Sequence, residues 1–311
     1  MLMAITRQGC CRNRFLKVKN RMTSATRACR EKAAPPLNTI APLSEDERYE
    51  ALDFLAKRPL HTVILAGWIR DHGVISPHHR GTFYRTRDVE GRMSGVALTG
   101  RNTFFETRSH EALRQFASCA RDAGEIKMVF AEERLLSEFW TLYSKRSRKP
   151  RLKSIEILFD ISKGMSIDGP LPQLRLATLG ELEPIARAHA SMVFDETGID
   201  PLVTDPEGFR SRCAERITQG RVWVWVKRGE LLFKTDIISD TPAAYYIEGL
   251  WVNPPIRATG SSYRCLSSLC QRLLTGKNAI VGFVDAENEA AVKLYRNSGF
   301  SLRERYEKFY L

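Results

Sequence analysis

Long apolar runs are missing from this 311-residue chain. A membrane-spanning helix needs roughly 20 consecutive apolar residues. The best stretch, residues 62–69, is far shorter, so a soluble protein with no membrane partner is expected. Cysteine pairs are missing too. The seven cysteines, at 10, 11, 29, 119, 213, 265 and 270, are odd in number and contain no Cys-x-x-Cys. That argues against a disulfide framework or a zinc site and for a reducing, cytoplasmic compartment. His78 and His79 lack carboxylates at ligand spacing, so no metal is expected. Acidic residues are scarce in residues 1–35, where nine Lys and Arg face Glu31 alone and carry +8 of the net +12. No apolar core of a secretory signal occurs there. The composition fits an organelle transit peptide, and equally an upstream start with Met22 as the true first residue. A second basic cluster, Lys145, Arg146, Arg148, Lys149, Arg151 and Lys153, surrounds Pro150. Basic patches attract polyanions. No aromatic-and-basic recognition motif accompanies these, so they read as a disordered tail and a solvated linker, and nucleic acid is not an expected partner.

What is present is an ordinary globular composition, 43 % hydrophobic and 27 % charged, on a chain long enough for two domains. Four regions are expected: a basic disordered tail (1–36), an α/β module (37–161), a Gly/Ser/Pro-rich linker (162–172) and a second α/β module (173–311). Each module opens with a capping box, Ser44 to Glu47 and Thr178 to Glu181, that starts a helix. In the second module, residues 221–227 (RVWVWVK) alternate as a strand, turn at Arg228-Gly229 and return through 231–238. Of Trp223 and Trp225, one is expected to pack and the other to line a groove. Asp205-Pro206 starts a helix with Pro at its first position. Strands follow at 244–252 and 279–284, with a helix between them bearing Leu266, Leu269, Cys270, Leu273 and Leu274 on one face. A short helix over 290–297 and a last strand over 301–311 complete the module. His189, alone on an apolar helix face, reads as a satisfied core residue.

The chemistry concentrates in residues 247–262, IEGLWVNPPIRATGSS. This is a buried strand, a proline stop, a small-residue loop and a helix N-terminus. Such a loop turns backbone N–H groups toward one point, and the helix dipole adds positive potential. That makes a pyrophosphate site, with Arg257 at its lip. Taken by itself, the string is equally a plain strand-to-helix loop.

Its context decides more. Glu248-x-Leu-x-Val252-x-Pro254 precedes Arg257-x-x-Gly260-x-Ser262, and Asn288-x-x-Ala291-x-x-Leu294-Tyr295-x-x-x-Gly299-Phe300 follows. In this order the second module resembles the GNAT family of N-acetyltransferases, whose acyl-CoA loop reads Gln/Arg-x-x-Gly-x-Gly/Ala. Ser262 departs from that pattern, and Ala258 replaces a common Gly. The resemblance implies a mixed-sheet GNAT fold and acetyl-CoA as acyl donor. It implies that the backbone of Leu250, Trp251 and Val252 pairs with the pantetheine arm. The N–H groups of Ala258, Thr259, Gly260, Ser261 and Ser262 would hold the pyrophosphate beside Arg257, with Asn288 near the cofactor arm. Tyr295 matches the Tyr that faces the cofactor sulfur. A tyrosine is a weaker acid than a thiol by about 2 kcal/mol, so its expected role is hydrogen-bond donation. Glu248 is similar to the Glu of some antibiotic and small-amine acetyltransferases, placed to bind a cationic amine or act as base.

The first module carries a weaker echo. Residues 126–143 resemble 280–295 as strand, acidic turn, helix and Leu-Tyr, so a degenerate GNAT-like copy without a CoA loop is expected. The leading functional expectation is transfer of an acetyl group from acetyl-CoA to an amine of a small molecule or peptide. The alternative is a non-catalytic acyl-CoA-binding or scaffold protein with a decayed site.

Overall fold

The computed structural model describes residues 39–124, 126–144, 149–162 and 173–311. The basic tail, Met22, Cys10, Cys11, Cys29, residues 145–148 and nearly all of the expected linker lie outside the described residues.

Local chemistry sets the first elements. Strand β1 (Ile40–Pro42) runs into the Ser44 capping box, where Ser44 N–H and Oγ both donate to Glu47 Oε2, and a 3₁₀ turn leads into helix α1 (Arg48–Leu55). Helix α2 (Val63–His72) follows, then strands β2 (Gly81–Arg87), β3 (Met93–Gly100) and β4 (Asn102–Thr107). Helix α3 (His110–Asp122) is capped by Ser109. Strand β5 (Met128–Glu132), helix α4 (Glu133–Ser144) and strand β6 (Leu152–Ile161) complete the first half. The second half repeats this order. It contains β7 (Arg175–Leu176), α5 (Leu182–Thr197), α6 (Pro201–Thr204) and α7 (Pro206–Thr218). Then come β8 (Val222–Lys227), β9 (Glu230–Asp240), β10 (Ala244–Val252), α8 (Ser261–Leu273), β11 (Ala279–Asp285), α9 (Glu289–Asn297) and β12 (Ser301–Tyr310). The β8–β9 turn has Arg228 at φ 52 and Gly229 at φ 82, a hairpin turn of the kind that two positive φ values define.

The strands form one sheet in the order β1-β2-β3-β4-β5-β12-β6-β11-β10-β9-β8-β7. β4 with β5 and β10 with β11 are parallel, and the other pairs are antiparallel. The order reads alike from both ends because the halves exchange their last strands. β12 pairs with β5 (Tyr306 opposite Glu132), and β6 pairs with β11 (Asp160 opposite Val281). The segments flanking the linker therefore share one sheet, with β12 against β6 as its seam.

Directly paired residues share a face. Phe309 opposite Val129 and Lys153 marks one face, where Phe139 of α4 and Leu266 of α8, with α3 and α9, pack over Phe105, Ile157 and Phe159 of the sheet. On the other face α1 and α2 cover Phe83, Leu98, Phe130, Tyr246 and Tyr306, and α5 and α7 cover Val222, Val224 and Leu231. α2 is the run at 62–69. It crosses the seam onto β9, and any Cβ at Gly67 would overlap the Ser239 side chain. The expected split of Trp223 and Trp225 is corrected: two residues apart on a strand they share a face, and both pack beside the α8–α9 core. Cys265 and Cys270 are buried in that same core.

Candidate active site

β10 makes the site by leaving its neighbours on both sides. Against β9, Glu248 faces Asp236 and Trp251 faces Lys234, so Gly249 and Leu250 bulge opposite Thr235 alone. Gly249 takes φ +65, which glycine adopts without penalty. The Glu248 carbonyl accepts from Thr235 Oγ1 at 3.1 Å. Against β11, pairing stops after Ala244–Tyr246 with Ala279–Val281. β11 stays with β6 as far as Asp285, so the two strands splay. The inner edges from Ile247 on β10 and Gly282 on β11 face a cleft.

The chain leaves β10 through Asn253, pinned by its N–H to the Leu232 carbonyl and by Nδ2 to Glu230 and the Leu231 carbonyl. Pro254–Thr259, which includes Ala258, forms a 3₁₀ turn. Gly260, at φ +74, then caps α8. The first turn of α8 points its backbone N–H groups out of the helix end, toward the loop. Arg257 Nε donates to the Val252 carbonyl at 2.9 Å, which holds the otherwise exposed guanidinium at the end of β10.

Tyr295 of α9 is buried, its ring against Gly282. A Cβ at Gly282 would lie 2.7 Å from the ring and 2.8 Å from the hydroxyl. Phe159 and Phe300 flank the ring. Among the described residues the Tyr295 hydroxyl makes no hydrogen bond. Burial, and after it the Cys270 and Glu248 charges, push its pKa above the usual tyrosine value. Glu248 is exposed, and its Oε2 accepts from the hydroxyl of buried Tyr246 at 2.9 Å. Leu250 packs beside the α8–α9 core and Trp251 beside the α5–α7 core. Asn288 serves as N-cap of α9, with Oδ1 accepting from Ala291 N–H at 3.0 Å.

The cleft thus brings Glu248, Leu250–Val252, the Arg257–Ser262 loop and Tyr295 around one strand end. Sequence reading missed the charged cluster under the bulge. Lys234 and Asp236 are buried there beside half-buried His189. The available signal is Lys and Asp two apart between the apolar runs LLF and II of the strand ELLFKTDIISD. Among the described residues no group of three His, Cys, Asp or Glu side chains is arranged to hold a metal ion. No described helix is long and apolar enough to cross a membrane.

The first half has the same splay with a different filling. β4 and β5 pair only through Asn102–Phe104 with Met128–Phe130. Arg58, from the turn after α1, enters the gap, with NH1 bonded to both Glu106 oxygens at 3.1 Å and NH2 to Glu132 at 2.8 Å. His61 Nδ1 lies 2.9 Å from Arg58 NH2 and 3.0 Å from the Tyr306 hydroxyl. About 20 Å³ of cavity is left, room for a single water.

No family model and no curated protein matches the chain. Solved structures do. A Drosophila protein covers 88 % of this chain and 99 % of its own at 14 % identity, with a TM-score of 0.63. A GNAT N-acetyltransferase from Sphaerobacter thermophilus covers 88 % and 95 % at 13 % identity, with a TM-score of 0.54. A tandem GNAT protein from the clavulanic acid biosynthesis pathway covers 88 % and 98 % at 11 % identity, with a TM-score of 0.54. The chain has the tandem GNAT fold. The two GNAT units meet across the exchanged strands, and the first is the copy whose cleft is filled.

Proposed function

We propose that the second GNAT unit is an N-acetyltransferase that moves an acetyl group from acetyl-CoA to an amine in a ternary complex. The observation that carries this reading is the splay of β10 from β11 beside a helix N-terminus. An extended arm can add to the free edge at Leu250–Val252 as a strand would. The N–H groups at Ala258–Ser262, with Arg257, suit the pyrophosphate. The acceptor amine attacks the thioester carbonyl carbon, the C–S bond breaks, and the thiolate leaves. Glu248, exposed and oriented by Tyr246, takes the amine proton directly or through one water. Tyr295, with a raised pKa and an uncommitted hydroxyl, stays protonated and donates a hydrogen bond to the sulfur. A cytoplasmic location and a cationic amine as acceptor belong to the same reading.

Calorimetric titration of acetyl-CoA into the full chain, beside a Ser262→Glu variant, is the test. A carboxylate at the helix N-terminus repels the pyrophosphate charge, so micromolar binding that the variant abolishes is expected. A parent protein that does not bind acetyl-CoA overturns the proposal and favours a scaffold with a decayed site.

A further inference from the structure

Under the bulge lies a charged cluster with no part in the chemistry above. Lys234 is wholly buried. Its ammonium meets Asp236 Oδ1 at 2.9 Å and His189 Nδ1 at 3.1 Å. Arg216 NH1 bonds the other Asp236 oxygen at 3.2 Å. An ammonium only donates, so Nδ1 accepts and the His189 ring is neutral, with its proton on Nε2. Burial, and then the Lys234 charge, favour that neutral form. Asp236 is held ionised because the Lys234 charge, with that of Arg216, outweighs its burial.

The cluster and the bulge fit one another. A Cβ on Gly249 would lie 2.9 Å from Lys234 Nζ and 3.6 Å from His189 Nδ1. The ammonium therefore occupies the side-chain space of Gly249, while Thr235 holds the Glu248 carbonyl. Burying a charge costs several kcal/mol, and replacing a buried ion cluster by apolar groups is often neutral or stabilising. Stability alone gives no reason for this cluster. Its place gives one: it supports the two residues at which β10 slips register and turns its edge to the cleft.

We propose that Lys234 is a positioning residue for the acyl donor. Its ammonium, locked by Asp236 and His189, wedges the bulge at Gly249 and fixes the Leu250–Val252 edge to which the pantetheine arm adds. The inference rests on the donor site proposed above. A methionine at 234 would fill similar space, but its flexible thioether has no directional contact to hold the wedge in place.

The test uses the full chain and a Lys234→Met/Asp236→Asn variant, which removes both charges together. Each is titrated with acetyl-CoA and with 3′-phospho-ADP, the nucleotide part without the arm. The expected variant melts within a few degrees of the parent, binds the nucleotide equally well and binds acetyl-CoA at least tenfold more weakly. Equal acetyl-CoA affinity in both proteins overturns the positioning role and leaves the donor site standing. Equal weakening of both ligands also overturns it, since that reports general damage. A parent that binds neither ligand overturns the donor site and this inference with it. Should the double variant fail to fold, Lys234→Arg carries the same comparison, because its longer planar head cannot seat under Gly249.

Discussion

Two clefts open in this sheet by the same rule and end differently. In each half a parallel strand pair stops after three residues, at Phe104 with Phe130 and at Tyr246 with Val281. Counted from the first pair, Phe104 and Tyr246 share a register position, and so do Glu106 and Glu248. In the first half the helix breaks after Leu55, and Arg58 in the turn reaches across to Glu106 and Glu132. In the second half α5 runs unbroken to Thr197, and Glu248 is left exposed with Tyr246. The connections differ as well. Only Arg108 and Ser109 separate β4 from α3, whereas residues 253–260 separate β10 from α8. The splay is thus common to both copies. What fills it, and whether a loop presents a helix N-terminus beside it, separates a packed core from a candidate binding site.

The largest expected effect comes from removing the filling. Arg58→Met leaves Glu106 and Glu132 facing each other with only the more exposed Arg108 nearby. Breaking a buried pair from one side costs about 3 kcal/mol, which urea unfolding would read as a lower midpoint. Acetyl-CoA stoichiometry should stay at one per chain, because the first half still lacks the loop. A stoichiometry of two would mean that Arg58 alone separates the clefts.

Matched substitutions at the shared register position sharpen the contrast. Glu248→Gln should slow turnover about 100-fold, the range for loss of a general base, with stability unchanged. Glu106→Gln should leave turnover alone and cost about 2 kcal/mol of stability, since it weakens a buried charge-assisted pair. Exchanged phenotypes would break the comparison. At the matched tyrosines the effect is smaller. Tyr295→Phe should slow turnover about tenfold, the worth of one hydrogen bond to a developing charge. Tyr143→Phe should not change turnover. Equal slowing by both would indicate that Tyr295 acts through packing.

Much of this contrast was legible locally and little of it over distance. The capping boxes, the Asp205-Pro206 helix start and the Arg228-Gly229 turn depend on residues within four positions, and each stands where the sequence predicts. The loop and Tyr295 follow from motif spacing. Arg58 is 48 residues from Glu106 and 74 from Glu132, so no local pattern signals the filled cleft. The strand exchange is hidden for a similar reason. Ile157, Phe159 and Ile161 on β6 would present the same apolar face if β6 paired with β5 of its own half. α2 crosses the seam and is apolar on most sides. A run of that length carries no period to distinguish helix from strand.

The smallest expected difference lies at the two capping boxes, where the halves look most alike. Glu47 bonds Arg85 at 2.7 Å and Arg87 at 3.0 Å, and Glu181 bonds Arg175. Burial raises the Glu47 pKa, but the Arg87 bond, the Ser44 N–H and Arg85 outweigh it and bring the pKa to about 2. The Arg175 bond lowers that of Glu181. A carboxyl depressed on folding adds stability above its unfolded pKa, near 4.3, and loses it as pH falls through the folded value. Urea midpoints at pH 6, 4 and 2.5 should therefore fall less steeply in Glu47→Gln than in the parent, by about 1 kcal/mol once solvent screening is allowed for. Glu181→Gln should flatten the fall by less, because one arginine faces that carboxylate rather than two. An equal flattening at both sites would mean that the caps, not the arginines of β2, set the acid response.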